Sequence, residues 1–119
     1  MDTTTGNRVL TSVELRLARW MLEHGTDEAS AFLPQLDLAE VTPWKCPCGC
    51  ASIHFQIRGK PFPPPGINIL GDYVVGKGND VSGVFRFESG GLLSGIEFYG
   101  LGGDALQALP GIEELRPFE

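Results

Sequence analysis

Apolar residues recur along the first third of this chain at helical spacing, and along much of the remainder at every second position. Val13, Leu17, Trp20 and Met21 follow one another at helical spacing, with Glu14, Arg16, Arg19 and Glu23 on the wetter side. Thr11-Ser12-Val13-Glu14 immediately before them is a capping box, in which Thr11 accepts from the Glu14 amide while the Glu14 carboxylate reaches back. Leu10 and Leu15 stand where a hydrophobic staple would sit. The pattern predicts a helix over 12–24, with His24 in its last turn and Gly25 supplying a left-handed residue after it. Thr26-Asp27-Glu28 then opens a second helix whose stripe is Ala29, Phe32, Leu33 and Leu36. Pro34 removes an amide inside that stripe and predicts a kink or a restart.

From Val41 the period falls to two. Val41–Lys45 reads as a short strand, placed at an edge by Pro43. Ile53, Phe55 and Ile57 alternate with Ser52, His54, Gln56 and Arg58, which predicts a strand with one wet face. Pro61-Phe62-Pro63-Pro64-Pro65 is an extended loop; a stiff connector accounts for its composition better than a polyproline ligand does. Ile67–Val75 is a further strand, followed by turn residues at Gly76–Asn79 that match no phosphate-loop spacing. Val81–Glu88 and Leu92–Tyr99 flank Gly90-Gly91, a two-residue hairpin signal. A simple hairpin there pairs Phe85 with Ile96, Phe87 with Ser94 and Gly83 with Phe98, leaving Arg86, Glu88 and Glu97 on the wet face. A short helical turn follows at Asp104–Leu109, and Ile112 and Leu115 of the tail pack at the rim. Trp20 and Trp44 are expected in the core or at its edge.

Helices first and strands after spell an α+β fold, with an N-terminal helical pair packed on a mostly antiparallel sheet of about five strands, in two layers. The 119 residues suit one domain, 1–119, with a flexible start over 1–9, a helical part over 10–40 and a strand-rich part over 41–119. No apolar run approaches the roughly 18–20 residues of a spanning helix. Met1 to Asn7 is polar and lacks the features of a secretory leader, so a soluble, cytoplasmic protein is expected.

Charge narrows the function classes. The formal net charge is −6, and the basic residues are scattered. Nucleic acid and anionic membrane surfaces are therefore poor partners, whereas a protein with a basic surface is electrostatically complementary.

The three cysteines, Cys46, Cys48 and Cys50, fall within five residues, and His54 follows. Three sulfurs and one imidazole form a zinc-binding set. In a regular strand, however, residues 50 and 54 stand about 13 Å apart, at ~3.3 Å per residue. Structural zinc sites also favour two-residue gaps between cysteines, not one. Asp37, Glu40 or His24 could replace His54 as fourth ligand. The competing reading is a tight turn whose thiols are buried as small hydrophobes, and the spacing favours it. No third group is evident to orient a Cys-His nucleophile pair, and no carboxylate pair suits acid–base work. A non-enzymatic role is expected, although Glu97 beside Tyr99 could line a binding surface.

The turn Cys46-Pro-Cys-Gly-Cys50 leading into an alternating strand, with Gly91-Leu-Leu-Ser-Gly-Ile-Glu-Phe-Tyr99 closing a late hairpin, resembles short acidic bacterial proteins of α+β type. Immunity proteins that neutralise a toxin are similar in size, charge and order of elements. The likeness extends over residues 10–116 in general order and carries no catalytic residues. It implies a bacterial cytosolic setting and, in its sharpest form, a basic toxin as partner. The alternative is a small zinc-binding module built on the cysteine cluster.

Overall fold

A computed structural model describes residues 6–45, 47, 50–76, 81–101 and 109–117. Helix α1 spans Ser12–Glu23 and starts as its sequence dictates: Thr11 Oγ1 accepts from the Glu14 amide, and Glu14 Oε1 accepts from the Thr11 amide. Leu17, Ala18, Met21 and Leu22 form its buried face. The end of α1 differs from expectation. Gly25 does not adopt a left-handed conformation. It is needed for proximity instead, because a Cβ there would collide with the Leu70 and Met21 carbonyl oxygens. The close approach lets the Thr26 amide donate to Leu70 O at 2.7 Å, tying the helix end to the sheet.

Pro34 enforces the predicted restart. A 3-10 turn over Ala29–Phe32 passes into a one-turn helix α2, Leu33–Leu36, with the proline in its first turn, where a missing amide costs no helical hydrogen bond.

Seven strands are found among the described residues, more than the five or so expected: β1 Arg8–Val9, β2 Ala39–Val41, β3 Ile53–Ile57, β4 Asn68–Val75, β5 Ser82–Ser89, β6 Leu92–Gly100 and β7 Arg116–Pro117. They form one sheet in the order β1-β2-β3-β6-β5-β4-β7, with every pairing antiparallel. The additional strands are the two-residue edges. Arg8–Val9, within the stretch read as a flexible start, pairs with Val41 and Glu40. This displaces the strand before the cysteine cluster from the edge position expected of it. It ends at Val41, before Pro43 could interrupt the ladder. The path β3-β4-β5-β6, with β6 returning beside β3, is a Greek key. Its long connection is the proline-rich loop.

The helices pack on one face. Leu17, Met21 and Leu22 meet Phe55, Leu70, Val84, Leu93 and Ile96 in a single core cluster, and Leu115 seals its rim as predicted. The helical turn expected at 104–109 and the turn residues 77–79 fall largely outside the described residues. No helix among the described residues is long and apolar enough to cross a membrane.

The decisive departure is in the hairpin. Gly90 and Gly91 form the turn with positive φ, and Ser89 pairs with Leu92 and Glu88 with Leu93, as a two-residue turn requires. The register then shifts by one: Phe87 faces Gly95, Arg86 faces Ile96, and Phe85 faces Glu97. Ser94 is thus an extra residue, a β-bulge. Because side chains alternate, this one-residue slip turns the β5 side chains beyond it to the face opposite the expected one, while Ile96, Glu97 and Phe98 of β6 keep theirs. Arg86, expected in water, lies fully buried under the helices, while Phe85, Phe87, Glu97 and Tyr99 share the outer face.

Candidate functional site

The outer face is where chemistry-bearing side chains converge. Across the sheet, Phe87 of β5, Gly95 of β6 and His54 of β3 lie in one row, and Glu97 follows two residues along β6. Gly95 contributes no side chain, so the rings of His54 and Phe87 meet above it edge to face, with centroids 5.9 Å apart. A Cβ on Gly95 would crowd the Ile53 carbonyl and His54 Cα. The glycine therefore sets both the floor of the site and the closeness of β3. His54 Nε2 donates diagonally to Glu97 Oε2 at 2.7 Å. The two side chains are 31% and 30% exposed, so the pair is half-shielded from water.

Trp44 closes one side. The chain leaves β2 through Thr42, whose amide donates to His54 O at 2.9 Å, and Pro43 directs the indole back over the sheet. Trp44 lies parallel on the His54 imidazole with centroids 3.7 Å apart. The proline-rich connection forms the opposite side. Pro65 O accepts from Ser89 Oγ at 3.3 Å, and Pro64 lies against Gly90, which fixes the loop over the hairpin tip. Between these walls is a cavity of about 550 Å³, lined by Trp44, His54, Phe62, Ile67, Phe87 and Glu97 among others. The volume suits a side chain or a small ligand. Trp44 is 39% exposed, Phe62 52% and Ile67 60%. Trp44, expected in or near the core, is therefore a wall of an open groove.

Electrostatically the groove is simple. Among the described residues, neither lysine nor arginine lines it, Glu97 is its only carboxylate and His54 its only basic group. Glu97 Oε2 is engaged by His54, and Oε1 accepts no hydrogen bond among the described residues. Asp72, on the same face, accepts from Tyr99 Oη at 3.3 Å. Burial, followed by the neighbouring Asp72 charge and this hydrogen bond, raises the Tyr99 phenol above its ordinary value, so it stays protonated at neutral pH.

Of the sequence-predicted zinc set, Cys50 and His54 are among the described residues. Cys46 and Cys48 lie outside the described residues. Cys50 is half-buried, with Sγ 3.0 Å from Ser52 Oγ and 4.0 Å from Phe98 O, and it lines a second cavity with Arg8 and Lys45. His54 is directed at Glu97, so ligation through Nε2 would compete with that carboxylate. Of the alternative fourth ligands, His24 Nδ1 lies 2.9 Å from Trp20 O, Asp37 forms a long ion pair with Arg19, and Glu40 is 3.9 Å from Arg58. Among the described residues, no three histidine, cysteine, aspartate or glutamate side chains gather as a metal site would need. Ser94, which also lines the groove, donates its hydroxyl to Leu92 O at 2.9 Å.

The sequence points to Glu97 as a residue that could line a binding surface, but not to Trp44, Phe62 or Phe87. The signal that could have located them is the spacing Leu93, Ile96, Phe98, three inward residues whose first interval is three, as a bulge requires. The chain matches no protein-family model, no curated protein and no solved structure.

Proposed function

We propose that this protein is a non-enzymatic interaction domain, and that it receives a basic protein partner in the outer-face groove. The observation that carries this reading is the grouping of solvent-exposed Trp44, Phe62 and Ile67 around a half-buried Glu97. Tryptophan anchors of this kind, set in partly dry pockets, supply a large share of binding energy at protein interfaces. An acidic surface accelerates encounter with a basic partner and suppresses acidic ones. The sharpest form of the proposal is an immunity-type role, in which the partner is a toxin encoded beside this protein.

The reading is tested by co-expression with basic proteins encoded by neighbouring genes. A stable complex, weakened about tenfold or more by Trp44→Ala or Phe62→Ala, is expected. A complex indifferent to both variants would remove the groove from the interface. Co-expression that neither forms a complex nor protects cells would end the immunity form.

A further inference from the structure

The chemistry of the groove names the group that enters it. Resting on the interface reading above, we propose that the groove takes an arginine side chain from the partner, anchored on Glu97. Three observations converge. Glu97 is the only carboxylate among the groove's lining residues, and its Oε1 accepts no hydrogen bond among the described residues. With 30% of the side chain exposed, this carboxylate is open to a donor from outside, and a charged donor binds it more strongly than a neutral one. The walls above it are aromatic faces, Trp44 and Phe62 exposed and Phe87 buried below. A guanidinium is planar and weakly hydrated and stacks on such faces, while an ammonium remains strongly hydrated. The methylene stem of the same side chain lies well against the Pro63–Pro65 wall. Finally, no lysine or arginine among the described residues lines the groove, and the chain carries a net charge of −6, so the surroundings as a whole attract a cation.

His54 completes the arrangement. Its Nε2 donates to Oε2, which holds the carboxylate in one rotamer with Oε1 open, and Trp44 fixes the imidazole by stacking. His54 is thus a positioning residue, and Glu97 is the contact.

The experiment uses the full chain and an acetylated octapeptide of alternating glycine and arginine. Its match contains citrulline, which has nearly the same shape and no charge. Binding is read from the Trp44 indole N–H signal in NMR titrations, assigned by comparison with Trp44→Phe. The arginine peptide should bind about tenfold or more tightly than the citrulline peptide, the ratio expected for a charged over a neutral hydrogen bond. Glu97→Gln should abolish that preference. Glu113→Gln, on an exposed residue far along the chain, changes net charge equally and should preserve it. Equal losses in Glu97→Gln and Glu113→Gln would overturn the anchor by showing general attraction only, while the moving Trp44 signal would leave the groove as an interface. No movement of that signal at millimolar peptide would also overturn the anchor. The interface reading would fall separately, on a native complex weakened by neither Trp44→Ala nor Phe62→Ala.

Discussion

Arg86 is the least expected residue in the molecule. It is fully buried, and its Nε and both terminal nitrogens have no hydrogen-bond partner among the described residues. The Phe55 ring, 5.0 Å from the guanidinium carbon, offers a cation–π contact. Such a contact contributes about 2 kcal/mol when desolvated, less than the several kcal/mol that burial of an ion costs. Burial accordingly pulls the guanidinium down from its ordinary value to about 9. Replacing Arg86 with Met keeps the volume and removes the charge. The substitution should raise unfolding stability by about 1–4 kcal/mol in urea titrations. The pH dependence has a definite sign: above pH 9 the folded state has released a proton that the unfolded chain still holds, so wild-type stability rises with pH relative to the variant. The advantage of Arg86→Met should therefore shrink between pH 8 and 10.5. An advantage independent of pH would show that the arginine stays charged in the fold.

Glu14 shows the opposite linkage. Burial would raise its carboxyl, but hydrogen bonds from Arg8 and from the Thr11 amide, together with the Arg8 charge, outweigh this and hold it below the ordinary value. The stabilisation is present above the unfolded value and disappears as pH falls through the folded one. Glu14→Gln should cost about 0.5–2 kcal/mol at pH 7, in the range of a lost cap, and nothing near pH 2. A deficit of equal size at both pH values would assign the effect to packing.

At the level of elements, the fold depends on two close approaches that only glycine permits. Gly25 brings the end of α1 onto β4, and Gly95 brings β6 onto β3. Gly95→Ala must push β3 away or shift the bulge, so it should destabilise the fold by about 1–3 kcal/mol. It should also separate His54 from Glu97, which the His54 Nε2 proton resonance would register. A stable variant with that resonance unchanged would show that the strands can yield without moving the pair. The bulge at Ser94 is the element-level event behind the whole site, because without it Phe85 and Phe87 would turn to the helices and Arg86 would join Glu97 on the outer face.

Across the whole molecule, the two faces of the sheet serve different purposes. The inner face buries Leu17, Met21, Leu22, Phe55, Leu70 and Ile96 and provides most of the stability. The outer face carries a groove roofed by the Greek-key crossover. Trp44 and Phe62 are exposed and contribute little to the core, so Trp44→Ala and Phe62→Ala should change stability by no more than about 0.5 kcal/mol while weakening the partner complex. A fall in melting temperature of several degrees in either variant would make that side chain structural instead. The separation of stability from binding is the property by which the groove can be recognised as a site.

The sequence alone determined the capping box at Thr11–Glu14, the restart at Pro34, the order of helices before strands, the Gly90-Gly91 turn and the rim role of Leu115. Each follows from interactions within a few residues, where backbone geometry and side-chain chemistry leave little choice. The two-residue edge strands were not legible, because Arg8–Val9 and Arg116–Pro117 are too short to show a period and pair only when distant strands are in place. The register beyond Phe87 was not legible from the turn, because β5 carries bulky side chains on both faces. Only the tertiary structure decides which set is inward: the helices offer one apolar face, Gly95 admits β3, and together they place the extra residue at Ser94. His54 and Glu97, 43 positions apart, then meet on the other side, where Trp44 and the proline-rich crossover enclose them. That meeting depends on long-range register, which no local pattern encodes.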